Sequence, residues 1–484
     1  MQVAPDLLRR IARTKPGGPL YRQIYARIRG GILSGELCAD ARLPSARSLA
    51  SQLAVARGTV ETAYQILTAE GYIAGRGAAG TFVERALVNP SAPARRSGRA
   101  ATTRADRPAS TRHRDASLLF RMGLPALDAF PRKQWSRLTA RCARAATPYD
   151  LGHPDPAGLE ALRRRIAFYL RIARGVACVP EQIFITTGFQ GAVTLIAQTL
   201  LRPGDKAWIE DPGYFLARQA LALAGARLIA VPVDGNGLDV AAARAREAQA
   251  RFAMVTPCHQ FPLGATLPIA RRLALLDWAS EAKAWIIEDD YDSEFRYRGR
   301  PLPALKSIDR RDRVLYVGTF SKVLFPALRV GYLVVPEALT KRFAAASPAL
   351  HPAPPALVQA VVTAFIEEGH FARHIRRMRQ LYAERREALA AALQKACGER
   401  MILDVPAGGM HLVGLLPSGA SDVDLAMAAR QRQLWPIALS GCAVKRAVGP
   451  GLLIGFANVP TDVAAAAARS LRIVLDQANQ GCAG

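Results

Sequence analysis

The pattern of apolar and polar residues changes along this chain and marks two folded regions. Up to about residue 84 the pattern is that of short helices, followed by a glycine-rich stretch, GYIAGRGAAGTFVE. From about residue 117 short continuous apolar runs such as QIFITT, KAWIED and AWIIEDD alternate with helical segments. Such runs are typical of strands buried on both faces, so the pattern predicts a mostly parallel α/β sheet. Beyond about residue 340 it predicts a smaller α+β region.

The stretch between these regions has a different composition. Residues 85–116 contain few large apolar side chains and are rich in Pro, Ser, Thr, Ala and Arg. A segment of this kind cannot bury a core. We therefore expect a flexible basic linker between a domain at 1–84 and a domain at 117–484.

Charge and cysteine content narrow the function classes. The formal net charge of +26 favours a polyanionic partner, nucleic acid before a membrane surface, although an arginine-rich proteome would give the same excess. Seven scattered cysteines without a C-x-x-C pair predict reduced thiols and neither a disulfide framework nor a metal site. No apolar run is long enough to span a membrane, so we expect a cytoplasmic protein.

The segment LPSARSLASQLAVARGTVETAYQILTAEGYI predicts two short helices around a tight turn. Ser45 is placed to cap a helix over 46–53, and Arg57 opens the next helix. Val60, Ala63 and Leu67 fall on one face of that helix. This is the geometry of a helix-turn-helix, with a generic three-helix domain as the alternative.

One lysine stands out within LYVGTFSKVLFPALRVGY, since Lys322 follows Thr319 and Ser321 and precedes Arg329. A lysine that forms a Schiff base with pyridoxal phosphate (PLP) needs a carboxylate for the pyridine nitrogen, a donor for the ring oxygen and an anion cradle. IIEDDYDSEF offers the carboxylate and a tyrosine at a strand end, and ITTGFQGAV offers a strand–turn–helix anion site. A buried strand that ends in Asp-Asp is more often a structural cap or a metal ligand, and a strand–Gly–helix is common in α/β proteins. Their combination points to PLP.

The N-terminal segments PLYRQIYARIRGGILSGEL, LPSARSLA, GTVETAYQILTAEGYI and GTFV resemble the winged helix-turn-helix of the GntR regulators over residues 18–84. The resemblance implies DNA contacts from Arg47, Arg57 and Thr59, and a wing that contains Gly77 and Gly80. Glu61 departs from relatives that carry a basic residue there. We expect it to face away from the DNA or to read a cytosine edge.

The second region resembles the fold-type I aminotransferases, and its combination with a GntR head resembles the MocR/GabR regulators. The resemblance implies that Lys322 binds PLP, and it implies a homodimer in which His153 reaches the partner's site. Asp289 is expected at the pyridine nitrogen, Tyr291 at the phenolic oxygen and Tyr214 on the ring. The residues expected around the phosphate are Gly188, Phe189, Gln190, Thr319, Ser321 and Arg329.

Three positions depart from the aminotransferase pattern. Phe261 stands where an asparagine is common, and His153 stands where a tyrosine is usual. Leu452 and Leu453 stand where an arginine binds the substrate carboxylate, for which Arg446 is a possible substitute.

These departures favour a PLP-dependent transcription regulator that senses an amine, an amino acid or PLP itself through Lys322 and binds operator DNA as a homodimer. The alternative is an active aminotransferase with an appended DNA-binding head. A cofactor-free scaffold is disfavoured, because every cofactor role remains filled.

Overall fold

The computed structural model describes residues 19–84 and 118–481, apart from breaks at 149, 298, 300–302, 351–352 and 446–447. The chain separates into two compact units, Met1–Ser110 and Thr111–Gly484. The predicted linker, 85–116, lies outside the described residues.

The first unit consists of three helices and a small antiparallel sheet. The helices are α1 (Leu20–Leu33), α2 (Ala46–Leu53) and α3 (Arg57–Ala69), and the strands are β1 (Arg42–Leu43), β2 (Ile73–Gly75) and β3 (Thr81–Val83), in the order β1-β3-β2. Strands β2 and β3 form the predicted hairpin wing.

The turn between α2 and α3 forms as its sequence predicts. The Ser45 side chain accepts a 3.1 Å hydrogen bond from the Ser48 N–H and caps α2. Ala54 ends that helix in the left-handed region, with φ of 51°. Val60, Ala63 and Leu67 of α3 are fully buried in the core of this unit. The predicted helix-turn-helix is therefore confirmed.

The second unit contains an eight-stranded sheet in the order β4-β11-β10-β9-β8-β5-β6-β7. Five neighbouring strands, from β10 to β6 in that order, are parallel, whereas β11 runs antiparallel to both of its neighbours and β7 forms a hairpin with β6. The strands are β4 (Ile183–Thr186), β5 (Lys206–Asp211), β6 (Arg227–Asp234), β7 (Gly237–Leu238), β8 (Phe252–Val255), β9 (Trp285–Asp290), β10 (Val314–Thr319) and β11 (Gly331–Val334).

Helices cover both faces of this sheet, which explains the continuous apolar runs. Ile286 and Ile287 are adjacent in β9 and both fully buried, yet they belong to different core clusters. The first packs with α8 and α9, and the second packs with α6 and α7. The helices of this part are α4 (Arg132–Ala145), α5 (Glu160–Arg174), α6 (Phe189–Leu200), α7 (Phe215–Leu223), α8 (Val240–Glu247), α9 (Ile269–Glu281), α10 (Thr340–Leu350) and α11 (Ala356–Glu367).

A second, antiparallel sheet in the order β12-β13-β15-β14 forms the predicted smaller α+β part. Its strands are β12 (Ile402–Asp404), β13 (His411–Leu415), β14 (Ile437–Ala438) and β15 (Gly451–Gly455). The accompanying helices are α12 (His370–Cys397), α13 (Asp422–Gln431) and α14 (Ala464–Gly481). Among the residues described, no helix has the length and apolar character that a membrane span requires.

Candidate cofactor site and DNA-binding surface

The carboxyl ends of the parallel strands β9 and β10 meet a cavity of about 370 Å³. This edge of an open α/β sheet is where ligands usually bind. Nine of the predicted cofactor residues line the cavity: Lys322, Asp289, Tyr291, Tyr214, Phe189, Gln190, Thr319, Ser321 and Arg329. The structure thus brings together residues from five separate stretches of the chain.

Lys322 follows β10 and extends its amine into the cavity, where Nζ donates a 3.1 Å hydrogen bond to the Gly123 carbonyl. Burial lowers the pKa of Lys322, and the charge of Arg121 adds to this effect, while Asp292 and Asp289 oppose it. A lowered pKa raises the fraction of neutral amine at a given pH. Only the neutral amine attacks an aldehyde, so the site favours covalent chemistry at Lys322.

Asp289 is a buried carboxylate, 5% exposed, that accepts no hydrogen bond from any side chain in the described part of the chain. Burial raises its pKa well above the usual range, the neighbouring Asp290 raises it further, and Lys322 lowers it. A carboxylate buried without a partner is costly. The protonated pyridine nitrogen of PLP is a partner that would remove this cost, so the residue fits the cofactor.

Asp290, the next residue, has a structural role instead. Its carboxylate forms a 2.7 Å ion pair with the Arg174 guanidinium, and both side chains are nearly inaccessible. It also accepts a hydrogen bond from the Tyr316 hydroxyl. Of the two adjacent acids that end β9, only Asp289 faces the cavity.

Tyr291 is oriented by a buried histidine–aspartate pair. His259 Nδ1 lies 3.1 Å from the Asp292 carboxylate and 2.9 Å from the Tyr291 hydroxyl oxygen. Because the carboxylate can only accept, Nδ1 carries the hydrogen and shares it between the two oxygens. The Tyr291 O–H hydrogen then remains available to an acceptor in the cavity.

Aromatic rings form one wall of the cavity. Tyr214 lies edge-on to Phe261 at 5.3 Å and tilted against Phe189 at 5.6 Å, between ring centroids. Burial raises the pKa of Tyr214 to about 12, and Asp289 acts in the same direction. Phe261 is buried and adds no hydrogen-bond donor to this wall.

The start of α6 and the Arg329 side chain form an anion cradle. Gly188 is the residue before α6, with φ of 79° and no side-chain cap, so the first N–H groups of the helix are free to bind an anion. Arg329 Nη2 donates to Gln190 Oε1 at 3.4 Å, which places its charge beside these groups. Ser321 and Thr319 add two hydroxyls at the cavity wall. This donor set suits a phosphate monoester.

The cavity lining does not include His153, Leu452 or Leu453. His153 is exposed and does not line the cavity of this chain. Leu452 and Leu453 are fully buried in apolar clusters. Arg446 lies outside the described residues.

The sequence reasoning missed several residues of the cavity. Arg121 and Gly123 come from the segment after the linker, and His411 comes from β13. His259 and Asp292 orient Tyr291. The sequence does contain a signal for His259 and Asp292. The segments TPCHQFPLG and EDDYDSEF follow strands, and the second also contains Tyr291.

The first unit presents the predicted DNA residues on its surface. Arg47 and Arg57 are exposed near the starts of α2 and α3, and Thr59 is half-buried. The carboxylate of Glu61 accepts a 2.7 Å hydrogen bond from Arg57 Nε. Glu61 therefore pairs with a residue one helical turn away in α3.

The wing has the glycines that a tight turn requires. Gly77 and Gly80 have φ of 56° and 107°, a region that other residues rarely adopt. Arg76, in the turn of the hairpin, forms a 2.6 Å ion pair with Asp40.

Each of the two units matches a known protein family. Residues 20–83 match the bacterial regulatory proteins of the gntR family, and residues 129–471 match the class I and II aminotransferases. A probable rhizopine catabolism regulatory protein, MocR of Rhizobium meliloti, is 38% identical over 94% of this chain and 93% of that protein. The chain belongs to the MocR-type transcription regulators.

Other MocR-type relatives are also named as regulators. TauR of Rhodobacter capsulatus is 36% identical, covering 78% of this chain and 81% of TauR. The pyridoxine biosynthesis regulator PdxR of Corynebacterium glutamicum is 32% identical over 91% of this chain and 92% of PdxR. The predicted function as a DNA-binding transcription regulator is thereby confirmed.

Solved structures match the second unit. The α-aminoadipate aminotransferase LysN of Thermus thermophilus, solved with N-(5'-phosphopyridoxyl)-L-leucine, has a TM-score of 0.68 and 30% identity over 76% of this chain and 94% of LysN. The kynurenine aminotransferase of Pyrococcus horikoshii also has a TM-score of 0.68, with 26% identity over 75% of this chain and 92% of that enzyme. These matches confirm the predicted fold and agree with PLP as the cofactor of this MocR-type chain.

Proposed function

We propose that this chain regulates transcription in response to a small amine or amino acid that binds at PLP held by Lys322. The observation that carries the proposal is the meeting of Lys322 and the unpartnered Asp289 in one cavity beside the anion cradle of α6. Bound PLP supplies an aldehyde and an electron-withdrawing ring, and the chain supplies the amine, the carboxylate and the phosphate donors.

Each side chain then has one task. Asp289 pairs with the pyridine nitrogen, Tyr291 donates to the ring oxygen, and Tyr214 packs on the ring. Gly188, Phe189 and Gln190 at the start of α6, with Thr319, Ser321 and Arg329, hold the phosphate. PLP itself is a second possible effector, because its binding alone would engage Lys322 and Asp289.

We propose that operator DNA is bound by α3 and the wing. Arg57 and Thr59 would enter the major groove, Arg47 would contact the backbone nearby, and Gly77 and Gly80 would let the wing approach a phosphate. The exposure of both arginines and the positive φ values of the glycines support this assignment. Operator binding would place the protein on the nucleoid in the cytoplasm.

We also propose a homodimer of the second unit in which His153 of one protomer reaches the site of the other. The exposure of His153 on its own chain leaves it available for that role. Two DNA-binding units joined to one dimer would engage paired half-sites with raised effective concentration. Sedimentation of full-length protein tests this assignment, and a PLP-loaded monomer would contradict it.

A working aminotransferase is the second candidate, favoured by the lowered pKa of Lys322 and the complete set of cofactor donors. Phe261, Leu452 and Leu453 weigh against it, because Phe261 supplies no second donor to the ring oxygen and the buried leucines supply no cation for a substrate carboxylate.

The experiment that separates the two candidates uses full-length, PLP-loaded protein with a panel of amino acids and 2-oxoglutarate. A regulator changes its cofactor absorbance and its operator affinity without sustained formation of an oxo acid. Sustained turnover with unchanged operator affinity would support the aminotransferase instead.

A further inference from the structure

We propose that Arg121 binds the carboxylate of the effector, which makes amino acids, rather than simple amines, the ligand class of the Lys322 cavity. This inference rests on the function proposed above. Arg121 and Lys322 line the same cavity. The charge of Arg121 also contributes to lowering the pKa of Lys322, so the two cations lie within electrostatic range of each other.

The backbone around Arg121 is fixed by an unusual turn. Phe120 is fully buried and has φ of 67°, in the left-handed region that residues other than glycine rarely adopt. Its carbonyl accepts a 2.9 Å hydrogen bond from the Gly455 N–H. The turn sends Phe120 into the core, while Arg121 is exposed and lines the cavity.

Glycine at position 455 is required by this arrangement. A Cβ at Gly455 would collide with the Arg121 carbonyl, so the Arg121 backbone packs directly on the end of β15. Leu452 and Leu453 of the same strand are fully buried and carry no charge. Residues 118–123 thus bring the Arg121 cation to the end of β15, a strand that has no charged side chain of its own.

The other positive groups in the cavity have different tasks. Within the described part of the chain, the lysines and arginines that line it are Arg121, Lys322 and Arg329. Lys322 holds the cofactor, and Arg329 contacts Gln190 at the phosphate cradle. His411 also lines the cavity, but burial lowers its pKa to about 4, so it is neutral at neutral pH.

Arg121 is free to bind an anion. Its guanidinium has no hydrogen-bond or ion-pair partner among the side chains described. A guanidinium presents donors in a planar fork that matches a carboxylate, and a bidentate pair of this kind is stronger than a neutral hydrogen bond. An amino acid whose amine reaches the Lys322 end of the cavity would place its carboxylate within the range of this fork.

The test compares glycine, β-alanine and γ-aminobutyrate with methylamine, ethylamine and propylamine, their decarboxylated counterparts. Binding to full-length, PLP-loaded protein is read from the change in cofactor absorbance. In the wild type we expect at least one amino acid to bind about tenfold or more tightly than its amine. Arg121→Gln should remove this preference by weakening amino-acid binding, Arg121→Lys should keep part of it, and Arg311→Gln, an exposed control, should keep all of it.

A second readout separates charge recognition from a merely structural role. Because the charge of Arg121 lowers the pKa of Lys322, Arg121→Gln should move the pH dependence of PLP uptake by the apoprotein to higher pH. An amino-acid preference that survives in Arg121→Gln, or no preference in the wild type, overturns the proposal while leaving the proposed function in place. If none of the six compounds changes the cofactor absorbance of the wild type, the proposed amine-sensing function fails as well.

Discussion

The Lys322 amine donates a 3.1 Å hydrogen bond to the Gly123 carbonyl and so joins the end of β10 to the segment that follows the linker. That segment is fixed to the small sheet through the Phe120–Gly455 bridge. A Cβ at Gly123 would collide with the Lys322 amine, so the contact is close. Any ligand that engages Lys322 must rearrange this contact, two residues from Arg121. Occupancy of the cavity would therefore alter the contacts of residues 118–123, the first described residues of the second unit.

Lys322→Ala should abolish the visible absorbance of bound PLP while leaving the fold intact. Lys341→Ala, an exposed lysine of α10, is the matched control and should retain the full absorbance. Circular dichroism and the melting temperature check that both variants fold. A borohydride-reducible cofactor adduct in folded Lys322→Ala protein would refute the assignment.

Alanine substitution of the two adjacent aspartates that end β9 should have different effects, one on PLP binding and the other on stability. Asp289→Ala should weaken PLP binding without destabilising the apoprotein, because it removes a buried carboxylate that has no partner. Asp290→Ala should cost about 3–5 kcal/mol of unfolding free energy, because it removes the carboxylate that balances the buried charge of Arg174. Urea unfolding and PLP titration of both variants measure the two effects, and the reverse assignment of the two phenotypes is the contrary outcome.

The pH dependence of PLP uptake should follow the charges around Lys322. Uptake requires the neutral amine, so its rate should rise with pH and level off near the lowered pKa of Lys322. Asp292 raises that pKa, so Asp292→Asn should lower it further and move the profile to lower pH. Stopped-flow absorbance measures the rate. Asp277→Asn, an exposed residue of α9, should leave the profile unchanged, and a shift of Asp292→Asn to higher pH would contradict this prediction.

Glu61 should compete with DNA for the Arg57 side chain. Glu61→Gln should strengthen operator binding, since it releases Arg57 and removes a negative charge from the end of α3 that we propose faces the DNA. If Arg57 contacts a base, Arg57→Ala should weaken operator binding by about 1–3 kcal/mol. If Arg57 contacts a phosphate, the slope of the logarithm of the binding constant against the logarithm of the salt concentration should fall by about one unit. PLP occupancy should not change in either variant.

Fluorescence anisotropy with a labelled operator fragment, repeated over a range of salt concentrations, measures both effects. Arg164→Ala, an exposed arginine of the second unit that also pairs with a glutamate four residues away, is the control. Unchanged operator affinity in Arg57→Ala would remove α3 from DNA recognition.

Much of the fold and the cofactor lysine could be predicted because the signals are local. Because β9 is buried on both faces, its sequence is a continuous apolar run. The helix cap at Ser45 and the apolar face of α3 that contains Val60 can each be recognised from a few neighbouring residues. The antiparallel direction of β11 could not be read, because burial on both faces gives the same apolar run in either direction.

The missed residues depend on contacts between distant parts of the chain. Arg121 reaches the cavity because Phe120 bonds to Gly455, more than three hundred residues away in the sequence. The different roles of Asp289 and Asp290 depend in the same way on Arg174 of α5, which pairs with only one of them.

Operator affinity of the full-length protein tests the central claim most directly. The wild type and Lys322→Ala are compared as apoprotein, with PLP, and with PLP plus each member of an amino-acid panel. The account predicts that at least one of these additions changes the operator affinity of the wild type and that none changes the affinity of Lys322→Ala. Equal operator affinity of the wild type in every state would contradict it.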